Sequence, residues 1–489
     1  MKVLLVYPNI SGTLTPQIGI LALGTYLLEK GVDASVCDLS FTDAKNYSDY
    51  LHKNIVKYKP DLVAFSCRTM EFSLTRELAM QTRKLNPGLM IVVGGPHATF
   101  EPNEIAAFAD FGVMGDGEEA LLDIVTYLDK GKKDKIKSIE NVFYQKDDNV
   151  IVNPMRPLFQ LNNSPMPRFE LFDERHYTTH SFLGLVPGAS VCGVFEGSRG
   201  CPYKCTYCSS PTLMEMSKGN GKWRREKPVP QIRAEIDKFK SIYGLEMIYF
   251  VDEVMMTSDQ RTTDFRNGLQ DLNIPFVFMY RPELIKENRV RDMKAAGAYS
   301  CSIGIESGNE GFREQLLKRR MKDKRIIESY QVMKEIGIKT HSFIMIGLPE
   351  QTPAIMEDTY DLLREIQPDS AQATTFYPLP ATALYKQTID SGLFTKQDYP
   401  FSYYGETYLN FNKRQKKMIR RYVDIINVGL WKKKPGRKFL AWLSRKIPYF
   451  STLLWTSTVV WGSMKRRGLW GTMVRIKKKL KAMSYSRQN

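Results

Sequence analysis

Apolar residues follow two alternating patterns over the first third of the chain. Short solid runs at 3–6, 34–37, 62–65 and 90–93 are separated by segments in which apolar positions return every three or four residues, at 18–30 (closed by Gly31), 74–84 and 118–128. Solid runs of this length suit strands buried on both faces, and the longer period suits helices packed over them. Strands alternating with helices across 1–135 predict a doubly wound, Rossmann-like parallel sheet.

The pattern breaks at 136–188. Residues 131–137 are basic and polar, and 153–168 is rich in Pro and Asn, including Pro154, Pro157, Pro165 and Pro167. This composition predicts a linker. Alternation resumes over 189–400 in longer units, with strand runs at 190–195, 247–251, 276–279, 300–305, 340–346 and 370–376. Helical periods lie between them at 229–243, 261–272, 288–296, 311–319 with 323–335, and 353–365. Six β/α units in series predict a partial barrel with its site at the C-terminal strand ends. A basic, Trp-rich helical region is expected over 401–489.

Charge divides the chain sharply. Residues 411–489 hold 22 Lys and Arg against one acidic residue, Asp424, whereas residues 1–410 hold 48 basic and 52 acidic side chains. The formal net charge of +17 is therefore a body at −4 joined to a tail at +21. A basic pI for the whole chain does not make the body a nucleic-acid binder, and nucleic acid is disfavoured as a partner. Hydrophobic residues at 43% and charged residues at 25% are ordinary globular values, which exclude disorder and collagen. Met1–Pro8 has only a short apolar run broken by proline, so no secretory signal is expected and a cytoplasmic location is.

The seven cysteines are odd in number, and three stand within eight residues. That pattern points to reduced thiols and a metal rather than a disulfide framework. Cys201, Cys205 and Cys208 have the spacing C-x3-C-x2-C directly after a predicted strand. Three thiolates on one loop can hold three irons of a 4Fe-4S cluster and leave the fourth open to a small molecule. A closed zinc site would normally have four ligands, and no fourth Cys or His follows at zinc-finger spacing. Cys192 and Cys301 fall inside predicted strands and read as small buried residues.

The loop Gly200-Cys201-Pro202-Tyr203-Lys204-Cys205-Thr206-Tyr207-Cys208 resembles the signature of the radical SAM superfamily, with Tyr207 at its aromatic position. The resemblance implies that S-adenosylmethionine (SAM) chelates the open iron and is cleaved after one-electron reduction by an external flavodoxin- or ferredoxin-type partner. It extends downstream over about 190–400. Asp252 and Glu253 end the second strand and are expected at the SAM amino group. Arg281 follows the third strand and is expected at the SAM carboxylate. Glu306, in Gly304-Ile305-Glu306-Ser307-Gly308, is expected to contact SAM, and Gly347 to approach the adenine.

Four N-terminal loops follow strands or precede helices and would converge on one sheet edge: Pro8; Arg68; Gly94, Gly95, Pro96 and His97; and Gly115, Gly117 and Glu118. No G-x-G-x-x-G follows the first strand, which disfavours a dinucleotide. The Gly-Gly-Pro-His-Ala-Thr and Gly-Asp-Gly-Glu-Glu segments resemble the cobalamin-binding domain of cobalamin-dependent radical SAM enzymes. There is no D-x-H-x-x-G, so His97 is expected to be a hydrogen-bonding loop residue rather than a cobalt ligand. This resemblance implies a methyltransferase. One SAM would methylate cobalamin, and a second would supply the radical that opens an unactivated carbon to the methyl group. A cobalamin-dependent cyclase or oxidase without methyl transfer is the alternative, and the rival of another class is a non-catalytic iron–sulfur sensor or nucleic-acid-binding protein that uses the basic tail for nucleic acid.

The tail mixes Trp, Leu, Ile and Phe with Lys and Arg. Phe439, Leu440, Leu443 and Ile447 fall at helical spacing, while Lys438, Arg445 and Lys446 can turn away. The pattern fits an interfacial helix on the inner face of a membrane, and equally a solvated basic cap. Membrane contact would favour a lipid-like substrate.

Overall fold

The computed structural model describes residues 1–10, 14–179, 185–396 and 406–447, together with 450, 453, 454 and 457. Its N-terminal sheet has seven strands: β1 Lys2–Tyr7, β2 Asp33–Asp38, β3 Leu62–Ser66, β4 Met90–Gly94, β5 Phe111–Val113, β6 Val142–Lys146 and β7 Asn149–Val152. Their order is β2-β1-β3-β4-β5-β6-β7, and the first five are parallel. Val3, Leu4, Leu5 and Val6 are all buried, as solid apolar runs require. The order reverses between β1 and β3, so the crevice outside their C-terminal ends is where such a sheet takes a ligand.

The hairpin β6–β7 adds antiparallel strands from within the segment expected to be linker. Val142 and Phe143 are fully buried, whereas the outer strand is half exposed. Two strands of five and four residues between a basic run and a Pro-rich run leave little periodicity to read. Beyond the hairpin the segment fastens the two halves together. Phe169 packs edge-on against Phe195 and Phe239, and Tyr177 against Phe239.

The second sheet is a six-stranded, all-parallel partial barrel in the order β15-β14-β13-β12-β11-β8. Its strands are β8 Cys192–Phe195, β11 Met247–Phe250, β12 Phe276–Tyr280, β13 Ala298–Glu306, β14 Lys339–Ile346 and β15 Ser370–Thr375. After β8 a small antiparallel ribbon, β9 Ser198–Arg199 with β10 Arg225–Glu226, brackets the cysteine loop. Cys192 and Cys301 are fully buried in their strands, as expected.

The helix Lys413–Asn427 lies against β15. Asn427 accepts from Ala373 N at 2.8 Å and donates to Ala373 O at 2.9 Å, so it caps the exposed edge of that strand. Trp431 is buried behind it and donates to Ile426 O at 3.1 Å. The first part of the basic tail is thus built into the barrel. The next helix, Arg437–Lys446, is tied down by Arg445 on Glu357 at 2.6 Å, but Phe439 and Trp442 stand 60% and 52% exposed with their rings stacked at 5.9 Å. Among the described residues no helix is long and apolar enough to cross a membrane. Trp455, Trp461, Trp470 and most of 447–464 lie outside the described residues.

One buried cluster joins Cys67, Phe72, Ala98 and Met114 of the N-terminal half to Leu348, Phe376, Tyr377 and Phe394 of the barrel. The ligand edge of the first sheet therefore faces the strand ends of the second.

Candidate active site

The cysteine loop starts from Gly200, whose φ of +92° suits glycine and where a Cβ would stand 2.4 Å from Trp223 O. Trp223 Nε1 donates to Cys201 O at 2.9 Å. Thr206 donates from its backbone to Leu317 O at 3.3 Å and from its hydroxyl to Leu316 O at 2.6 Å, so the segment after β13 clasps the loop from behind. Cys201, Cys205 and Cys208 are all free thiols, near enough to influence one another electrostatically. Burial raises the Cys201 thiol and pushes that of Cys208 up to about 11, so iron must displace protons to bind.

Cationic donors converge on Cys205. Arg281 Nη1 lies 3.4 Å and Arg319 Nη1 3.6 Å from Cys205 Sγ. Arg281 also bonds Glu283 at 2.5 Å and sits 3.6 Å over the Tyr203 ring. Arg319 donates to the Tyr207 hydroxyl at 2.9 Å and to Gly304 O, and Tyr207 donates in turn to Glu306 Oε1 at 3.0 Å. Glu306 closes β13 at a φ of +68°, an unusual state for a residue with a side chain and one that clusters at functional sites. Burial raises its carboxyl, against the pull of Arg319. Arg319 was not singled out from the sequence.

The remaining residues expected at SAM divide. Glu253 is exposed, has no ion-pair partner among the described residues, and lies near enough to Cys201 and Cys208 to perturb both. Asp252 instead turns inward. It accepts from Gly197 N at 2.9 Å and from the Ser198 hydroxyl, and burial pushes its carboxyl up to about 7. It braces the ribbon under the cysteine loop rather than facing the space above it. Gly347 has a φ of +83° and is covered by Ile419 of the helix Lys413–Asn427.

At the N-terminal edge, Pro8 follows β1 and Arg68 lies two residues beyond β3, on either side of the switch point. Arg68 bonds Glu71 at 2.9 Å and reaches Tyr7 OH at 3.5 Å while staying over one-third exposed. Gly94 closes β4. Gly95, at φ +99°, brings its backbone so near that of Cys67 that a Cβ would sit 2.8 Å from Cys67 O. This glycine serves strand packing. His97, in the short helix beginning at Pro96, is fully buried between Thr69 (3.4 Å) and Glu104 (3.3 Å), a hydrogen-bonding role inside the domain rather than at its edge. The Gly115–Gly117 turn leads to Glu118, which is also drawn inward, onto Arg199 at 2.7 Å.

The donor set fits the groups the family uses. Three thiols on one loop suit a cluster with an open iron, and arginine N–H groups at a cysteine sulfur are what a cluster-bound thiolate accepts. Arg281 Nε and Glu283 Oε2 are buried without hydrogen-bond partners among the described residues, beside that loop. Such orphaned atoms suit a zwitterionic ligand.

Comparison with known proteins agrees. The radical SAM superfamily model matches residues 195–363, and a B12 binding domain model matches 9–125, together more than half of the chain. The chain belongs to the radical SAM superfamily. Within it, the chain carries a B12 binding domain ahead of the radical SAM domain. An uncharacterized methyltransferase of Pyrococcus horikoshii is 28% identical over 410 residues, 80% of this chain and 84% of that one. The anaerobic magnesium-protoporphyrin IX monomethyl ester cyclase of Rubrivivax gelatinosus is 23% identical over 413 residues, 80% of this chain and 70% of its own. The radical SAM methyltransferase TsrM from Kitasatospora setae, solved with cobalamin and a 4Fe-4S cluster, has a TM-score of 0.64 at 18% identity, covering 81% of this chain and 79% of that one. OxsB, a cobalamin-dependent SAM radical enzyme solved with aqua-cobalamin and SAM, has a TM-score of 0.70 at 16% identity, covering 99% and 75%. At these identities the two structures share the fold.

Proposed function

We propose that the protein methylates an unactivated carbon of a small molecule. The observation that carries this reading is the buried cluster joining Cys67 and Phe72 to Leu348 and Tyr377, which turns the two ligand edges toward each other. When bound, the cluster supplies the electron that cleaves SAM, and cobalamin carries the methyl group. Cys201, Cys205 and Cys208 hold the irons. Glu253 takes the SAM amino group, Arg281 its carboxylate, and Glu306, fixed by Tyr207, orients it. Gly347 makes room for Ile419 of the helix Lys413–Asn427, and its backbone borders the adenine. Pro8, Arg68, the turn at Gly94–Gly95 and the turn at Gly115–Gly117 line the cobalamin edge. An external flavodoxin- or ferredoxin-type reductant delivers the electron.

The relative named as a cyclase supports a second reading, radical cyclisation or oxidation without methyl transfer. Anaerobic reconstitution with iron, sulfide, cobalamin, SAM and a strong reductant separates the two. The proposal expects 5′-deoxyadenosine and S-adenosylhomocysteine together, and a metabolite 14 Da heavier in extracts of cells expressing the enzyme. 5′-Deoxyadenosine without S-adenosylhomocysteine selects the cyclase reading. A Cys201→Ala chain that still makes 5′-deoxyadenosine removes both.

The exposed Phe439–Trp442 stack beside basic residues supports peripheral contact with the inner face of the cytoplasmic membrane, and with it a lipid-like substrate.

A further inference from the structure

The two-stranded ribbon that brackets the cysteine loop has an unfavourable pairing. β9 and β10 run antiparallel with Arg199 directly opposite Arg225. Like charges opposite one another across a strand pair repel, and both side chains are mostly buried, which weakens screening. The acid within the ribbon, Glu226, is turned to Arg224 at 2.9 Å and Arg261 at 3.7 Å instead of to this pair. Arg199 precedes Gly200 and Cys201 directly, so any splaying of the pair is passed to the first cysteine.

Compensating charge comes from the other domain as well as from Glu196, just ahead of the ribbon. Asp116, in the turn after β5, places Oδ1 at 3.2 Å from Arg199 Nη1 and bonds Arg225 Nη1 through Oδ2. Arg199 also has Glu118 at 2.7 Å and Glu196 at 2.9 Å. Arg225 has no carboxylate but Asp116 among the described residues, its other acceptors being backbone carbonyls such as Phe159 O at 2.7 Å. Phe159 N closes the circuit by donating to Asp116 Oδ2 at 3.2 Å.

We propose that Asp116 is a positioning residue that holds Arg199 and Arg225 side by side and so makes the geometry of the cysteine loop depend on the cobalamin domain. The claim rests on the functional reading only in taking residues 201–208 to carry the cluster. The segment resembling a cofactor motif, Gly-Asp-Gly-Glu-Glu, then turns two of its three acids, Asp116 and Glu118, onto the neighbouring domain, while Glu119 pairs with Arg156 at 3.4 Å.

The test uses the full chain. Hydrogen exchange of the apo protein, read over 198–208 and 223–227, is compared for wild type, Asp116→Asn, Arg225→Met and the double variant. Asp116→Asn is expected to speed exchange there about tenfold while β3 and β13 stay protected. Arg225→Met alone, which removes the repulsion, is expected to stay within about twofold of wild type, and the double variant to return most of the way. After anaerobic reconstitution, iron release to a chelator should follow the same order. Wild-type exchange in Asp116→Asn overturns the proposal. So does a double variant that exchanges as fast as Asp116→Asn, because a merely structural acid would not be rescued by deleting an arginine. If Asp116→Asn does not fold, a double variant that does fold and protects the loop supports the proposal, and one that also fails to fold overturns it. A wild type that takes up no cluster removes the cofactor reading, while hydrogen exchange still decides this one.

Discussion

Arg319 brings a guanidinium behind the cysteine loop, where Cys205 Sγ, Tyr207 OH and Gly304 O all accept from it. Its neighbour Arg320 is 87% exposed at the side chain, while Arg319 is 4% exposed overall. The run Lys318-Arg319-Arg320-Met321-Lys322 gives no sign of which arginine is buried, because charge runs look alike whichever way each side chain turns. The cysteines were legible for the opposite reason: their spacing is itself the chemistry. Removing one partner of a buried ionic network costs roughly 3–5 kcal/mol. Arg319→Gln is expected to lose that much in anaerobic urea unfolding, and Arg320→Gln less than about 0.5 kcal/mol. Equal losses would refute the assignment. Asp252 supplies a pH test. Its carboxyl titrates near 3.8 when unfolded, and burial lifts it to about 7 in the fold. Between those values the folded chain keeps a proton that the unfolded chain has lost, so stability is fully present below about pH 4 and is lost as pH rises toward 7. Asp252→Asn should flatten that decline in urea midpoints taken from pH 4 to 8. Parallel curves for variant and wild type would assign the effect elsewhere.

Among elements, legibility followed length and burial. β11 (Met-Ile-Tyr-Phe) and β12 (Phe-Val-Phe-Met-Tyr) are solid apolar runs and β14 ends on Phe-Ile-Met-Ile, so these barrel strands could be located from the sequence alone. β5 has three residues, and β9 and β10 have two each, too few to show any period. The β6–β7 hairpin lay between basic and Pro-rich segments that masked it. The helix Lys413–Asn427 looked like the start of a separate tail because charge rises there, but its buried face closes the barrel at β15. That closure depends on Asn427. Asn427→Ala leaves both backbone groups of Ala373 without their partner, at a cost of about 2 kcal/mol. It should also speed hydrogen exchange in β15 with little change in β8. Unchanged exchange would show that the edge does not need this cap.

For the whole molecule, the charge division gives the membrane proposal its test. Basic residues near an anionic surface contribute about 1 kcal/mol each, and the contribution is screened by salt. The full chain is expected to sediment with phosphatidylglycerol-containing vesicles at low salt and weakly with neutral ones. Phe439→Ser with Trp442→Ser should reduce that binding severalfold while catalysis on a soluble substrate is kept. Equal sedimentation of variant and wild type would remove this face from the contact. The buried cluster between the two ligand edges has a consequence during synthesis. The first sheet is complete once residue 152 has been made, but Leu348, Phe376, Tyr377 and Phe394, which cover its strand ends, come up to 242 residues later. At about 5–20 residues per second, the apolar edge stands bare on the ribosome for roughly 12–48 s. Conditions that slow elongation or sequester nascent chains should therefore govern soluble yield more than those that stabilise the finished enzyme.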